Sequence, residues 1–586
     1  MAETLISPGV LARENDQSQL TSQPVQAGAA IIGPAVKGPV EIPTKVTSYT
    51  EYLANYGSTF ISGSDEFTYF TSISAYNYFQ NGGSTLIVTR VTTGSFTEAT
   101  SSYISGSGIG ATGTEENRLV LETIGEGELM NSLPVAQTGD TITDGSNNTL
   151  SSGSRDNLRW EIASPNTASG TFSVIIRRGD DTKKSKTVLE TFTNVSLDPK
   201  STNYVAKVIG DQKQVLRGTG TTDVYLQTSG SYPNASRYVR VKTLTKTPNY
   251  LDNAGNAKNE YTASIPSAAS GGFGSAIGTL FVGGGANYYQ NINDTNTQGL
   301  KPATDYADAI NLLANRDDYR YNLLTAPGLV YENATNATQL NTMISNTENR
   351  GDNIIVMDLV GYNSTLINVT QQAASLDTSY VASYWPWLQI SDPDSRQLVW
   401  VPASALIPGV YAYNDKAGEA WFAPAGINRG GLGTVRQAER KLTQANRDTL
   451  YTEKVNPIAT FPGTGVVVFG QKTLQTKASA LDRVNVRRLL ITLKNFISQI
   501  ADTLVFEQNT AATRNQFLSQ VNPYLESVQQ RQGLYAFKVV MDDSNNTPDV
   551  IDRNQLIGAI YLQPTKTAEF IYLDFNILPT GATFPA

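Results

Sequence analysis

The residue types that most often carry catalysis are missing from this sequence. Its 586 residues include no histidine and no cysteine. Histidine is the commonest general base and the commonest metal ligand, and the cysteine thiolate is a nucleophile and a soft metal ligand. Histidine-dependent serine triads, histidine-based zinc sites, disulfides and thiol chemistry are therefore excluded, whereas carboxylate and lysine chemistry stays possible.

Four carboxylates near the end of the chain could hold a metal ion. Asp542 and Asp543 precede the turn-rich stretch 544–548, and Asp549 and Asp552 follow it. Serine, asparagine and proline in such a cluster are typical of a connection between two strands. We interpret the four carboxylates as solvated turn residues, with a cation site as the alternative, and predict no metal.

Two glycine-containing stretches resemble nucleotide-binding motifs, and both depart from them. Gln471 separates Gly470 from Lys472, whereas a phosphate-binding loop needs lysine directly after the second glycine. The stretch 466–469 is three valines and a phenylalanine, which predict a buried strand rather than a loop that presents amides to phosphate. The glycines of 272–278 lack a preceding strand and the dinucleotide-binding spacing. The sequence therefore predicts no cofactor.

Two adjacent arginines offer positive charge on a predicted helix. Neighbouring helical residues point about 100° apart, so at most one of Arg487 and Arg488 faces a given partner well. One interpretation is contact with an acidic partner or nucleic acid. The alternative is that one arginine forms an internal ion pair, for example with Glu507.

The predicted elements divide the chain into five parts. Helices that alternate with apolar strands, such as 321–326 and 353–359, predict an α/β core with a mainly parallel sheet. A stretch rich in glycine, serine, threonine and asparagine interrupts this pattern and predicts a β-rich insertion. The predicted parts are an N-terminal arm (1–25), a discontinuous α/β core (26–95 and 285–440), a β-rich inserted domain (96–284), a C-terminal α+β domain (441–568) and a C-terminal strand or arm (569–586).

The C-terminal domain contains the most regular patterns. Apolar residues recur at spacings of three and four over 482–503, which predicts an amphipathic helix. A second helix is predicted over 514–530, followed by strands at 535–541 and 557–562. The stretch 569–577 alternates in apolar character, as a strand with two distinct faces does.

Charge and hydropathy exclude two further classes of protein. The formal net charge is −8, which is opposite to the basic character of nucleic-acid-binding proteins. The N-terminus has no basic, apolar signal-peptide pattern. No apolar run approaches the length of a membrane-spanning helix, so we expect neither nucleic-acid binding nor direct membrane insertion.

Several stretches, in order along the chain, resemble the contractile phage tail sheath family. They are SPGV at 7–10, LETFTNVSLDPK at 189–200, APAGINRG at 423–430, GVVVFGQKTL at 465–474, DRVNVRRLL at 482–490, FEQN at 506–509, NNTPDVIDRNQL at 545–556 and IYLQP at 560–564. The last two are especially similar to sheath proteins of T-even type phages. One departure is Gln508, where many relatives have proline.

This resemblance implies a structural subunit and not an enzyme. Such subunits polymerise as stacked hexameric discs around the tail tube and contract to drive the tube through the host envelope. The implied partners are further copies of the chain, the tail tube protein, the baseplate and the tail terminator, in a virion tail assembled in the host cytoplasm. A phage-derived contractile injection system, such as an R-type bacteriocin or a secretion-system sheath, is the alternative.

The resemblance also implies that both chain ends reach into neighbouring subunits. The N-terminal arm has too little apolar surface to fold alone, and open sheet edges can accept a strand from another chain. The alternative is that 569–577 pairs within its own subunit. The predicted arm residues are Leu5, Ile6, Val10, Leu11, Ile571, Leu573, Phe575 and Ile577, and the predicted acceptor-strand residues are Tyr535, Phe537, Val539, Ile557 and Ile560.

The tube-facing surface is predicted on the two C-terminal helices. The span 472–531 holds eight basic and four acidic residues, a net charge of +4, and charge complementarity with an acidic tube could set the register. The candidates are Arg487, Lys494 and Arg514.

Overall fold

The computed structural model describes residues 25–62, 64–102, 104, 119–133, 149–281 and 285–570. The strands, in chain order, are β1 (Val25–Ala27), β2 (Ala29–Gly33), β3 (Thr44–Val46), β4 (Thr59–Ser62), β5 (Asp65–Thr68), β6 (Leu86–Arg90), β7 (Glu98–Ser101), β8 (Leu119–Glu126), β9 (Leu158–Asn166), β10 (Thr171–Arg178), β11 (Val188–Ser196), β12 (Lys213–Arg217), β13 (Tyr225–Ser229), β14 (Val239–Leu244), β15 (Ala269–Gly274), β16 (Tyr319–Tyr321), β17 (Leu323–Val330), β18 (Ile354–Asp358), β19 (Val381–Trp385), β20 (Leu388–Ser391), β21 (Leu398–Val401), β22 (Val435–Ala438), β23 (Asn456–Phe461), β24 (Gly465–Val468), β25 (Leu534–Val540) and β26 (Ala559–Pro564).

The helices alternate with these strands in the core and cluster near the C-terminus. They are α1 (Tyr49–Tyr56), α2 (Phe70–Gln80), α3 (Val205–Ile209), α4 (Asn259–Thr262), α5 (Ala307–Leu312), α6 (Ala334–Arg350), α7 (Leu366–Ala374), α8 (Ala403–Ala417), α9 (Gln444–Thr452), α10 (Val484–Asp502), α11 (Ala511–Gln530) and α12 (Pro548–Asp552). No helix of the described residues is long and apolar enough to cross a bilayer.

The largest sheet has the order β24-β23-β19-β18-β17-β2-β6-β3. Its strands from β23 to β6 are parallel, and only the edge strands β24 and β3 run antiparallel to their neighbours. The prediction of a mainly parallel sheet is therefore confirmed. Strand β2 buries Ala29 and Ile31 in one apolar cluster and Ala30 and Ile32 in another, which explains its continuous apolar sequence.

This sheet joins parts of the chain that lie far apart in sequence. Strand β2 precedes the β-rich region and β17 follows it, yet Ala30 pairs with Leu324. Strands β23 and β24, which fall in the predicted C-terminal domain, extend the same sheet at its other edge. The predicted domain boundaries stay predictions.

A seven-stranded sheet lies within the glycine- and threonine-rich region, in the order β11-β10-β9-β15-β7-β8-β14. All its pairs are antiparallel. Fully buried Arg90, at the end of β6, joins this region to the core. It donates to the carbonyls of Ala35 (3.0 Å), Gly38 (2.6 Å) and Glu126 (3.0 Å).

Helices α10 and α11 carry the hairpin β25–β26. Leu489, Leu493 and Ile500 of α10 pack with Val521 and Leu525 of α11 in one apolar cluster. Helix α10 covers most of the predicted span 482–503. Helix α11 begins three residues before its predicted start, because the Thr510 hydroxyl accepts from the backbone N–H of Thr513 and caps the helix.

Candidate functional site

The hairpin β25–β26 has unpaired edges among the described residues. Each strand pairs only with the other, through Phe537 with Leu562 and Val539 with Ile560. These four side chains pack against the helical cluster. A two-stranded sheet is marginally stable by itself, and its open edges can pair with another chain.

Four of the five predicted acceptor residues lie in this hairpin. Tyr535, Phe537 and Val539 are on β25 and Ile560 is on β26. Ile557 is not in a strand, so the predicted start of β26 at this residue is wrong. Its N–H donates to Asn546 Oδ1 and its carbonyl accepts from Asn546 Nδ2, both at 2.9 Å, and a side-chain amide thus replaces the strand partner.

The predicted arm residues Leu5, Ile6, Val10, Leu11, Ile571, Leu573, Phe575 and Ile577 lie outside the described residues, and their role stays a prediction. The described chain ends just before the C-terminal group. After β26, the Thr565 N–H donates to the Gly533 carbonyl at 3.2 Å. The chain then reaches the core through Glu569, which sequence reasoning did not single out.

Three donors hold the Glu569 carboxylate. Its Oε2 accepts from Tyr451 Oη at 2.6 Å, and its Oε1 accepts from Arg483 Nε at 2.8 Å and Gln471 Nε2 at 3.0 Å. Partial burial acts to raise the pKa of Glu569, but hydrogen bonds from Tyr451, Arg483 and Gln471 outweigh it and lower the pKa. We call residues 565–570 the arm root, because the chain proceeds from this anchor to the predicted arm.

The structure places two of the three predicted tube-facing residues inside the subunit. Arg487 is buried, lies 4.0 Å from the Tyr380 ring centroid and donates to the Ser379 hydroxyl. Arg514 is also buried and donates to Asn509 and Asp543. Lys494 is the exposed member of the set.

Arg488 forms an internal ion pair, as one of the two interpretations of the sequence held, but its partner is Asp415 and not Glu507. Its Nη2 lies 2.6 Å from Asp415 Oδ2, and its guanidinium lies 4.7 Å from the Tyr411 ring centroid. Glu507 is exposed and follows the end of α10. The partner on α8 could not be read from the sequence, because 73 positions separate the pair.

The motifs weighed for nucleotide and metal chemistry have structural roles. Residues 465–468 form β24, and its three valines are buried, as predicted. Asp542 Oδ1 accepts from the Ser544 N–H at 2.9 Å, which confirms its predicted turn role. No group of three or more acidic side chains close enough to hold a metal lies in the described part of the chain.

Residues 303–474 match the phage tail sheath protein central domain, and residues 476–578 match the phage tail sheath C-terminal domain. The tail sheath protein of Vibrio phage KVP40 is 40% identical over 218 residues, which is 37% of this chain and 31% of that protein. The tail sheath protein of Enterobacteria phage T4 is 36% identical over 223 residues, which is 38% of this chain and 33% of that protein. The matched region thus spans about a third of these relatives.

A solved structure is also similar. The helical sheath of the anti-feeding prophage in its contracted state has a TM-score of 0.41 and 23% identity, over 51% of this chain and 84% of that chain. The family and sequence matches confirm the resemblance to contractile phage tail sheaths, close to the T-even type. These relatives are structural proteins, which confirms the prediction that the chain is not an enzyme.

Proposed function

We propose that this chain is a tail sheath subunit that polymerises around a tail tube and contracts to drive the tube through the host envelope. In this proposal the subunits form stacked hexameric rings above a baseplate and below a tail terminator. The protein acts as part of the virion tail after assembly in the host cytoplasm.

The observation that carries the proposal is the unpaired hairpin β25–β26. Its inner face is packed on α10 and α11, so the strands are held in place without a third strand among the described residues. Main-chain hydrogen bonds from an extended segment would complete the sheet without requiring a particular side-chain surface. We propose that residues 1–20 and the chain beyond the arm root supply such segments to neighbouring copies.

Strand exchange of this kind suits a contractile polymer. Backbone ladders can move as units while other contacts between subunits are replaced. Contraction would release energy stored in an extended, metastable lattice, so it needs no bound nucleotide. The failed phosphate-loop motif and the strand structure of 465–468 agree with this mechanism.

Electron microscopy of the purified protein tests the assembly proposal. We expect long hollow helical tubes in the absence of ATP, and we expect the tube-loaded form to contract without ATP. A protein that stays monomeric under all polymerising conditions, or that contracts only with ATP, would contradict the proposal.

Two variants test the arms. Deletion of residues 1–20 is expected to leave a folded monomer that no longer forms tubes. Leu573→Pro removes a main-chain donor and is expected to have the same effect. Circular dichroism and sedimentation separate folding from assembly. If the Leu573→Pro monomer unfolds, the strand that contains Leu573 pairs within its own subunit. If the deletion variant still forms normal tubes, the N-terminal arm does not connect subunits.

A further inference from the structure

The turn between α10 and α11 presents an aromatic side chain that no part of the described subunit covers. We propose that Phe506 is a knob that docks into a cavity at the other end of α10 in a second copy of this chain. This inference rests on the proposed self-assembly and names one contact within it.

The backbone of the turn directs the knob outward. Leu504 is 7% exposed and anchors the turn in the helical core, whereas Val505 is 61% exposed and Phe506 is fully exposed. Phe506 has a φ of 72°, a conformation that is rare for bulky residues. Strained backbone of this kind persists only where the surroundings hold it, and it is concentrated at functional sites.

Asn509 and Arg514 hold the turn in this conformation. Asn509 Nδ2 donates to the Gln555 carbonyl at 2.9 Å, and Asn509 Oδ1 accepts from Arg514 Nε at 2.9 Å. Arg514 also donates from Nη1 to Asp543 Oδ1 at 2.5 Å. The FEQN stretch therefore combines an exposed aromatic residue with an asparagine that fixes its loop, and buried Arg514 is a positioning residue for both.

The proposed socket is a cavity of about 380 Å³ beside the arm root. A dry cavity of roughly 150 Å³ accepts a benzene ring, so this volume can hold a phenylalanine side chain. Its lining includes Ala425, Pro457, Phe469, Phe570 and Arg447.

Charge adds to the fit between knob and socket. The Arg447 guanidinium stacks near Phe461 and Phe469, at 5.4 Å and 5.9 Å from their ring centroids. It can stack on an incoming ring in the same way. Glu507, next to the knob, is exposed and can pair with Arg447 when the ring is seated. Asp448 and Glu569 also line the socket, and the Glu569 carboxylate is already held by Tyr451, Gln471 and Arg483.

The knob cannot enter the socket of its own subunit. At the socket end of α10, the Val484 N–H donates to the carbonyl of Gln471, which lines the cavity, at 2.8 Å. Helix α10 has 19 residues and is therefore about 28 Å long, with Phe506 beyond its far end. A knob and a socket on opposite ends of one rod join copies head to tail, and such contacts build open helical polymers or rings.

The absence of cysteine allows a site-specific test in the full-length protein. We would replace exposed Val505 and exposed Ala568, which lines the socket, with cysteine and treat the assembled protein with a short bis-maleimide. Val505→Cys leaves the Phe506 knob in place. We expect a ladder of covalent oligomers on a denaturing gel from the double variant and at most dimers from either single variant.

The matched control adds Phe506→Ala to the two cysteines. Because Phe506 is fully exposed, its removal should leave the monomer melting temperature unchanged and reduce the ladder at least tenfold. Unchanged laddering in this control would overturn the role of the ring.

Three other results separate the Phe506 contact from the proposed function. Absence of the ladder while the double variant forms normal tubes would overturn the Phe506 contact and leave the proposed function standing. Cross-linking of the Val505→Cys single variant to added tail tube protein would reassign the knob to the tube. Failure of the unmodified chain to polymerise would instead contradict the proposed function.

Discussion

Release of the arm root is the most direct test of how this subunit fixes the start of its C-terminal arm. Glu569 is the charged side chain that attaches residues 565–570 to the core, through Tyr451, Gln471 and Arg483. The hydroxyls of Thr565 and Thr567 add hydrogen bonds to the Gln532 carbonyl and to Gln471. Glu569→Gln keeps the shape of the side chain and removes its charge. It also places an amide donor where only an acceptor was needed, so one of the three donors loses its partner.

The size of the effect follows from the contacts. Hydrogen bonds to a charged group contribute about 1.5–3 kcal/mol each, and the side chain is mostly shielded from solvent. The amide oxygen still accepts one or two of the original bonds, so we expect a net loss of about 2 kcal/mol. That loss raises the open population of the arm root about 30-fold.

Tryptic cleavage after Lys566 measures this population, because a protease needs the segment detached and cleaves in proportion to the open fraction when opening is fast. On the monomer, mass spectrometry should show cleavage after Lys566 about 30-fold faster in Glu569→Gln. Cleavage after exposed Lys200, in the β-rich region, serves as the internal reference and should not change.

A matched variant separates the carboxylate from its donors. Tyr451→Phe removes one donor to the charged carboxylate and leaves the Arg483 ion pair, so it should accelerate cleavage about 12-fold, for a loss of about 1.5 kcal/mol. A cleavage rate in Glu569→Gln within twofold of the unmodified protein would show that Glu569 does not hold the arm root.

Three further predictions concern pH, the insertion and the tube. The pKa of folded Glu569 lies below its ordinary value of 4.5. Its contribution to holding the arm root is therefore complete above pH 4.5 and is lost as the pH falls through the folded pKa. Hydrogen exchange of the arm root should differ between the unmodified protein and Glu569→Gln at about pH 7, and the difference should disappear at acid pH. Arg90→Met removes the donor to the carbonyls of Ala35 and Glu126, whereas the Gly38 carbonyl still accepts from the Glu126 N–H. It should cost about 2–4 kcal/mol, seen as faster proteolysis within 96–284 and a lower melting temperature. Lys494→Glu should weaken assembly on tail tubes more than tube-free polymerisation, and an equal effect on both would assign Lys494 to sheath contacts.

The sequence allowed most elements of the core to be predicted, because their apolar patterns are local. Strand β18 is a run of apolar residues, and its ends lie within one residue of the predicted span 353–359. Helix α10 was equally clear, because its apolar stripe persists over five turns. The predicted start of β26 at Ile557 was wrong because the Asn546 side chain, and not a neighbouring strand, binds the backbone N–H and carbonyl of Ile557.

The charged residues of the candidate site could not be placed from the sequence. Basic side chains on a helix are expected on its solvent-exposed face, and Lys494 is indeed exposed. Arg487 and Arg514 instead have partners contributed by folding, such as Tyr380 and Asp543. The partners of Glu569 lie 86 to 118 positions away, a separation at which no sequence period carries information.

These buried contacts bear on which parts of the subunit can move. Val484 and Ile491 of α10 belong to the core cluster that lies against the large sheet, whereas Leu489 and Leu493 belong to the C-terminal cluster. Arg488 adds an ion pair to α8. One helix thus packs into both cores, and separating them would expose apolar surface and break the Arg488–Asp415 ion pair. The large sheet and the C-terminal unit should therefore move as one body, and rearrangement between subunits must be taken up at the arm root, the chain ends and the contacts between copies.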